Sequence, residues 1–205
     1  INMKVKICGL NPLRDIKLCV DLGVHFLGFV FFDKSPRNVK LSDIKTISNY
    51  NRKNSSFVAV TVDPKDEFIK KNIVGNFDFI QLHGSETKER VIEIKNMGFK
   101  IIKAIKVKEE KDIGVYKHFE DVADLILFDS NSMERSKSIP KDLLSKIPKG
   151  DKFGLAGALN SKNILEYSKL GLNFFDLSSG LEKENLTGYK DHLKIKSFMS
   201  KIDML

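Results

Sequence analysis

Two side chains in this sequence have the chemistry of a proton acceptor and a proton donor, and each stands at the end of an apolar run. Cys8 closes KVKIC and is followed by Gly9. A thiol there is either an inert core group or, as thiolate, a base or nucleophile. Asp129 directly follows LILF. A carboxylate in that position carries a desolvation cost unless it caps the next loop or has proton chemistry to do. His83, with Gly84 behind it, ends DFIQL and reads as a proton carrier or a turn histidine. Arg37 in DKSPR offers a guanidinium fork to a carboxylate or phosphate, or is simply solvated. Asp63 and Lys106 also end apolar runs. Gly157-Ala158 and Ser178-Ser179-Gly180 are small-residue turns whose backbone N–H groups could receive an anion. Cys19 lies in a helical stretch and reads as core.

Positioning such residues takes a regular frame. Hydrophobic periodicity predicts strands at Lys4–Gly9, His25–Phe32, Phe57–Val62, Asp78–Leu82, Lys100–Ile105, Ala123–Phe128, Lys152–Ala156 and Asn173–Leu177. Helical stretches follow at Asn11–Leu22, from a Ser42 cap to Tyr50, and at Lys65–Ile73, Glu86–Met97, Glu109–Phe119, Ser161–Leu170 and Asp191–Ile202. Alternating βα units demand a parallel sheet with right-handed crossovers. Eight similar units without an early G-x-G-x-x-G turn favour a closed (β/α)8 barrel, a TIM barrel, over an open doubly wound sheet. In that fold the chemistry sits at the C-terminal ends of the strands, where all of these candidates fall.

Composition narrows the partners. The chain has 205 residues and a net charge of +8, but only five of its 35 basic residues are arginine, and the lysines are spread throughout. That distribution argues against a nucleic-acid surface and for an anionic small-molecule substrate. No apolar run approaches a membrane span, and the two cysteines form no disulfide framework or metal cluster. The reading is a soluble, cytoplasmic single domain over residues 3–205, a monomer or homodimer, with Ile1-Asn2 a cloning remnant.

Seven strings occur together in one order: KVKICGL at 4–10, FLGFVFFDKSPRNV at 26–39, DFIQLHGSE at 78–86, IIKAIKV at 101–107, LILFDS at 125–130, LAGALNSKNI at 155–164, and DLSSGLE with GYKD across 176–191. They cover nearly the whole chain, and in this they resemble the phosphoribosylanthranilate isomerases of tryptophan biosynthesis. The resemblance implies the (β/α)8 barrel and an Amadori rearrangement of N-(5-phosphoribosyl)anthranilate to 1-(2-carboxyphenylamino)-1-deoxyribulose 5-phosphate. It implies neither cofactor nor metal. By the same resemblance Cys8 is the general base, Asp129 the general acid, and Arg37 the contact for the anthranilate carboxylate. Gly157, Ala158, Ser179 and Gly180 would hold the phosphate, and His83 joins the substrate-contacting set. Where the family has a glycine-rich loop after the strand-6 aspartate, residues 130–142 read SNSMERSKSIPKD, without glycine. Glu134, Arg135 and Lys137 are expected to order that loop through charge. The alternatives are another sugar-phosphate isomerase or epimerase of the same fold, and a non-catalytic phosphate-binding barrel.

Overall fold

In the computed structural model of the protein, which describes residues 3–130 and 138–204, eight parallel strands close on themselves in sequence order. They are β1 (Lys4–Cys8), β2 (Phe26–Phe31), β3 (Ser56–Thr61), β4 (Phe79–Leu82), β5 (Lys100–Val107), β6 (Leu125–Ser130), β7 (Gly150–Ala156) and β8 (Leu172–Leu177). The seam pairs Val5 of β1 with Phe175 of β8 and Ile7 with Leu177. Residues alternate between two apolar layers. Val5, Ile7, Leu27, Phe29, Phe57 and Phe175 face the surrounding helices, while Phe26, Val58, Val60, Ile102, Leu127 and Phe174 fill the barrel. This is the (β/α)8 barrel expected from the element order.

The helices are α1 (Ile16–Asp21), α2 (Ile44–Ser48), α3 (Asp66–Phe68), α4 (Lys88–Lys95), α5 (Glu110–Gly114), α6 (Lys141–Leu144), α7 (Ile164–Tyr167) and α8 (His192–Ile202). Most are shorter than the apolar spacing predicts, because polar side chains hold the preceding turns. The Asn11 side chain accepts from the amides of Leu13 and Arg14, and Asp15 accepts from the Asn11 amide, so α1 begins only at Ile16. Ser42 does not cap α2. It lies in a 3-10 turn, Leu41–Asp43, that leads into the helix. Asp191 does cap α8, accepting from Leu193 and Lys194. Among the described residues no helix is long and apolar enough to cross a membrane. The expectations for Glu134, Arg135 and Lys137, and for residues 1 and 2, lie outside the described residues.

Candidate active site

Lys6 and Cys8 share the inward face of β1. Gly28, the Cα partner of Cys8 on β2, makes room for both: a Cβ there would stand 3.1 Å from Lys6 Cε and 3.2 Å from Cys8 Sγ. Lys6 is fully buried, and its ammonium donates to Asp176 Oδ2 of β8 at 2.6 Å. Burial pushes the Cys8 thiol above its ordinary range, and the nearby charges of Lys6 and Lys190 oppose that rise without cancelling it. Cys19 is the inert thiol expected. It is buried in α1, and burial carries it to about 12.

Asp129 is the penultimate residue of β6 with its side chain in the mouth, where Oδ2 lies 3.2 Å from His83 Nε2 of the β4 loop. The Gln81 amide nitrogen meets His83 Nδ1 at 3.2 Å from below. The Gln81 amide nitrogen can only donate, so Nδ1 accepts in that contact and Nε2 carries the hydrogen that faces the carboxylate. Gln81 Oε1 is buried without a hydrogen-bond partner among the described residues. The loop carrying His83 is pinned from behind. Glu86 accepts from the amides of Asp63 and Gly84 and pairs with buried Lys103 of β5 at 2.7 Å. Asp63 accepts from the Ser85 amide, which gives this strand-end acid a turn-holding place. Lys106 is the Cα partner of Asp129 and is exposed at the rim.

Arg37 is not a free loop arginine. Its Nε and Nη2 donate to the two oxygens of Glu182 at 2.6 and 3.0 Å, and the Glu182 side chain is fully buried. Lys190, also buried, joins Glu182 at 3.3 Å and donates to the Ser178 carbonyl at 3.0 Å. Burial would push the Glu182 carboxyl up, but Arg37 and Lys190 outweigh it and hold the group below its usual range. Gly9, at φ +75°, lets the Arg37 stem cross over it, since a Cβ at Gly9 would lie 2.4 Å from Arg37 Cδ.

The loops after β7 and β8 meet at the opposite rim. A Cβ at Gly180 would fall 2.0 Å from the Leu159 carbonyl oxygen, so only glycine permits this approach. Gly157 and Ala158 both have positive φ, 93° and 52°. The Ala158 carbonyl is turned back onto the side chains of Asn160 and Asn163. Among the described residues the amides of Gly157, Ala158, Ser179 and Gly180 donate to no protein acceptor. The four residues therefore form a patch of open N–H groups suited to an anion. No group of three or more His, Cys, Asp or Glu side chains with metal-holding geometry occurs among the described residues.

All eight sequence-derived site residues thus sit at one end of the barrel. Sequence reasoning assigned no role to Lys6, Gln81, Asp176, Glu182 or Lys190. The available signal was a charged or polar residue at an inward strand position, as in Lys6 two before Cys8, Gln81 two before His83 and Asp176 two before Ser178.

The sequence profile of the N-(5'phosphoribosyl)anthranilate (PRA) isomerase family matches residues 5–201. The N-(5'-phosphoribosyl)anthranilate isomerase of Parvibaculum lavamentivorans is 33% identical over 202 residues, covering 89% of this chain and 91% of the relative. That of Caulobacter vibrioides is 36% identical over 209 residues, covering 96% and 94%. Among solved structures, the phosphoribosyl anthranilate isomerase of Thermotoga maritima superposes with a TM-score of 0.86 at 28% identity, over 99% of this chain and all 100% of that one. A phosphoribosyl anthranilate isomerase in complex with reduced 1-(o-carboxyphenylamino)-1-deoxyribulose 5-phosphate superposes with a TM-score of 0.82 at 29% identity, over 99% and 100%.

Proposed function

The chain belongs to the N-(5'-phosphoribosyl)anthranilate isomerase family, and we propose that it performs the family's rearrangement with Cys8 as base and Asp129 as acid. The reaction is the aldose-to-ketose isomerisation of phosphoribosylanthranilate in tryptophan biosynthesis. It relocates protons only, so one acceptor and one donor suffice.

In the proposed sequence Asp129 protonates the ribose ring oxygen. The C1'–O bond breaks, and the anthranilate nitrogen lone pair forms a C1'=N iminium. The iminium acidifies the C2' hydrogen, which the Cys8 thiolate removes, leaving an enolamine. A proton gained at C1' and one lost from the 2'-hydroxyl then give the ketone. The four open N–H groups at Gly157, Ala158, Ser179 and Gly180 anchor the phosphate. Two nitrogens of Arg37 are engaged by Glu182, and the third, Nη1, is left to meet the anthranilate carboxylate. His83 resupplies the proton of Asp129. A half-turn of the Gln81 amide would bring Oε1 to a protonated Nδ1 and leave Nε2 as an acceptor for protonated Asp129. The buried, unpartnered Oε1 supports that exchange. The protein is further proposed to act in the cytoplasm as a monomer or homodimer, forms that sedimentation velocity separates.

The observation carrying this reading is that Cys8 and Asp129 stand at the same end of the barrel, Cys8 beside Lys6 and Asp129 3.2 Å from His83. Loss of anthranilate-type fluorescence reports turnover, and with no tryptophan in the chain the background is low. Cys8→Ser keeps the shape of the side chain but not its acidity, and Asp129→Asn cannot donate an acidic proton. Each is expected to lower kcat by about a hundredfold or more while substrate still binds. Near-parental turnover in either variant removes that residue from the mechanism.

A further inference from the structure

Most of the inward-facing layer below the mouth is apolar, formed by Phe26, Val58, Val60, Ile102, Leu127 and Phe174. Lys6 and Asp176 interrupt it with a fully buried lysine and an aspartate only 7% exposed, 2.6 Å apart. A buried ion pair is poor evidence for stability, because the desolvation of two charges offsets their attraction, and an apolar pair would fill the same space at no loss. Its place directly under Cys8 is therefore informative. Lys6 Cε and Cys8 Sγ both lie within 3.2 Å of the same point above Gly28, so the lysine stem passes beside the thiol and the Lys6 charge acts on it. Asp176 Oδ2 takes the ammonium from the other side. Asp176 Oδ1 is buried with no hydrogen-bond partner among the described residues.

We propose that Lys6 is a positioning residue for catalysis: its ammonium, held in place by Asp176, is the counter-charge that lets Cys8 give up its proton inside a dry barrel. The proposal rests on the reading of Cys8 as the base. A thiol packed half-buried against this layer loses acidity, and a cation beside it restores part of it. Asp176 keeps Lys6 charged, and although burial works against the ammonium, Asp176 and Cys8 together raise its affinity for the proton. The other charged groups near Cys8 act more weakly or from further off. Lys190 lies on the segment before α8, where the buried Glu182 carboxylate pairs with it. Asp129 and His83 act on Asp176 from β6 and the β4 loop. Lys6 is the cation on the same strand face as the thiol, two residues below it.

The test reads Cys8 directly. Iodoacetamide alkylation of Cys8, followed by peptide mass spectrometry across pH 6–10, reports its thiolate fraction, and buried Cys19 serves as an internal control. In Lys6→Met, alkylation at a fixed pH near neutrality is expected to fall about tenfold or more, the equivalent of one unit in thiol acidity. kcat is expected to fall by a similar factor, with KM within about twofold. Lys6→Met/Asp176→Asn, neutral at both positions, should shift Cys8 in the same direction without leaving a lone buried carboxylate. In the unaltered protein labelled with 15N-lysine, the Nζ resonance of Lys6 should move at the midpoint of Cys8 alkylation. The proposal is overturned if either folded variant has a parental Cys8 alkylation curve, or if the Lys6 resonance is indifferent to Cys8. Failure of the underlying reading looks different. A Cys8→Ser protein with parental turnover would dismiss Cys8 as base yet leave the alkylation shift in Lys6→Met intact.

Discussion

A thiol and a carboxylate that exchange one proton form a pair whose competent and resting states pH cannot distinguish. At rest Cys8 is a thiol, raised by burial, and the Nε2–H of His83 points at an Asp129 carboxylate. The proposed reactive form, thiolate and carboxylic acid, carries the same number of protons. The rate should therefore be flat across the neutral range, even though the thiolate fraction alone climbs about tenfold per pH unit there. Measuring kcat/KM and Cys8 alkylation over the same pH 6.5–8.5 series checks this: a kcat/KM that climbs in step with alkylation would mean that Asp129 is not the acid. Arg37 makes a second case at this scale. Arg37→Ala should raise KM roughly ten- to a hundredfold by removing the carboxylate contact. It should also lower the melting temperature, because Glu182 is left buried without its fork. Arg37→Lys keeps a charge for Glu182 but not the bidentate geometry, so the melting temperature should recover more than KM. A KM unchanged in both variants would confine Arg37 to structure. Cys8 and Asp129 stood out as candidates in the sequence because each directly follows an apolar run, but that position also fits an inert thiol or a turn-holding acid such as Asp63, so the roles of base and acid came only with the family resemblance. Arg37 was legible as a site residue but not as the partner of Glu182, since nothing local ties positions 145 residues apart.

Strands were read more accurately than helices, for a physical reason. A barrel strand is packed on both faces, so its apolar run and its residue count coincide, as in FLGFVF of β2, buried at every position. The outer helices bury one stripe, and the turns leading into them bury apolar residues too. The periodic pattern at Lys65–Ile73 thus resolves into the three-residue α3 and a π-helical turn over Ile69–Ile73. The loops proposed to hold the phosphate were readable as small residues at two strand ends, but the reason for each glycine needed coordinates. Gly180 is where the β8 loop touches the β7 loop. Gly180→Ala places a methyl group 2.0 Å from the Leu159 carbonyl and must push the two loops apart. Because those loops carry the open N–H groups, KM for the phosphorylated substrate should rise about tenfold with a smaller change in kcat, the signature of lost uniform binding. Titration with inorganic phosphate as a competitive inhibitor reads the same change without turnover, and an unchanged inhibition constant would place the phosphate elsewhere.

Closure of the barrel creates pairings that no segment of the sequence contains. β1 meets β8, so Lys6 finds Asp176 across 170 residues, and the loop after β2 meets the segment after β8, so Arg37 finds Glu182. Glu182 also reaches Lys190, eight residues further on and just ahead of α8, and so ties the loop after β2 and the segment after β8 into one knot. Its effect on the whole molecule follows from its proton affinity. The folded protein holds the Glu182 carboxyl below its usual range, and the unfolded chain releases it to an ordinary value near ~4.3, so the unfolded state binds the proton more readily. Stability from this group is therefore fully present above the unfolded value and is lost as pH falls through the folded one. Glu182→Gln should cost roughly 3 kcal/mol at pH 7, where the parent has the charged knot and the variant leaves buried Lys190 and half-buried Arg37 short of an anion. As the solution is acidified the parent loses the advantage that the variant never had. Urea unfolding midpoints of the two proteins should then stand apart at pH 7 and draw together below about pH 4. A gap between the midpoints that stays constant down to pH 3 would show that the proton equilibrium of Glu182 is the same in the folded and unfolded protein.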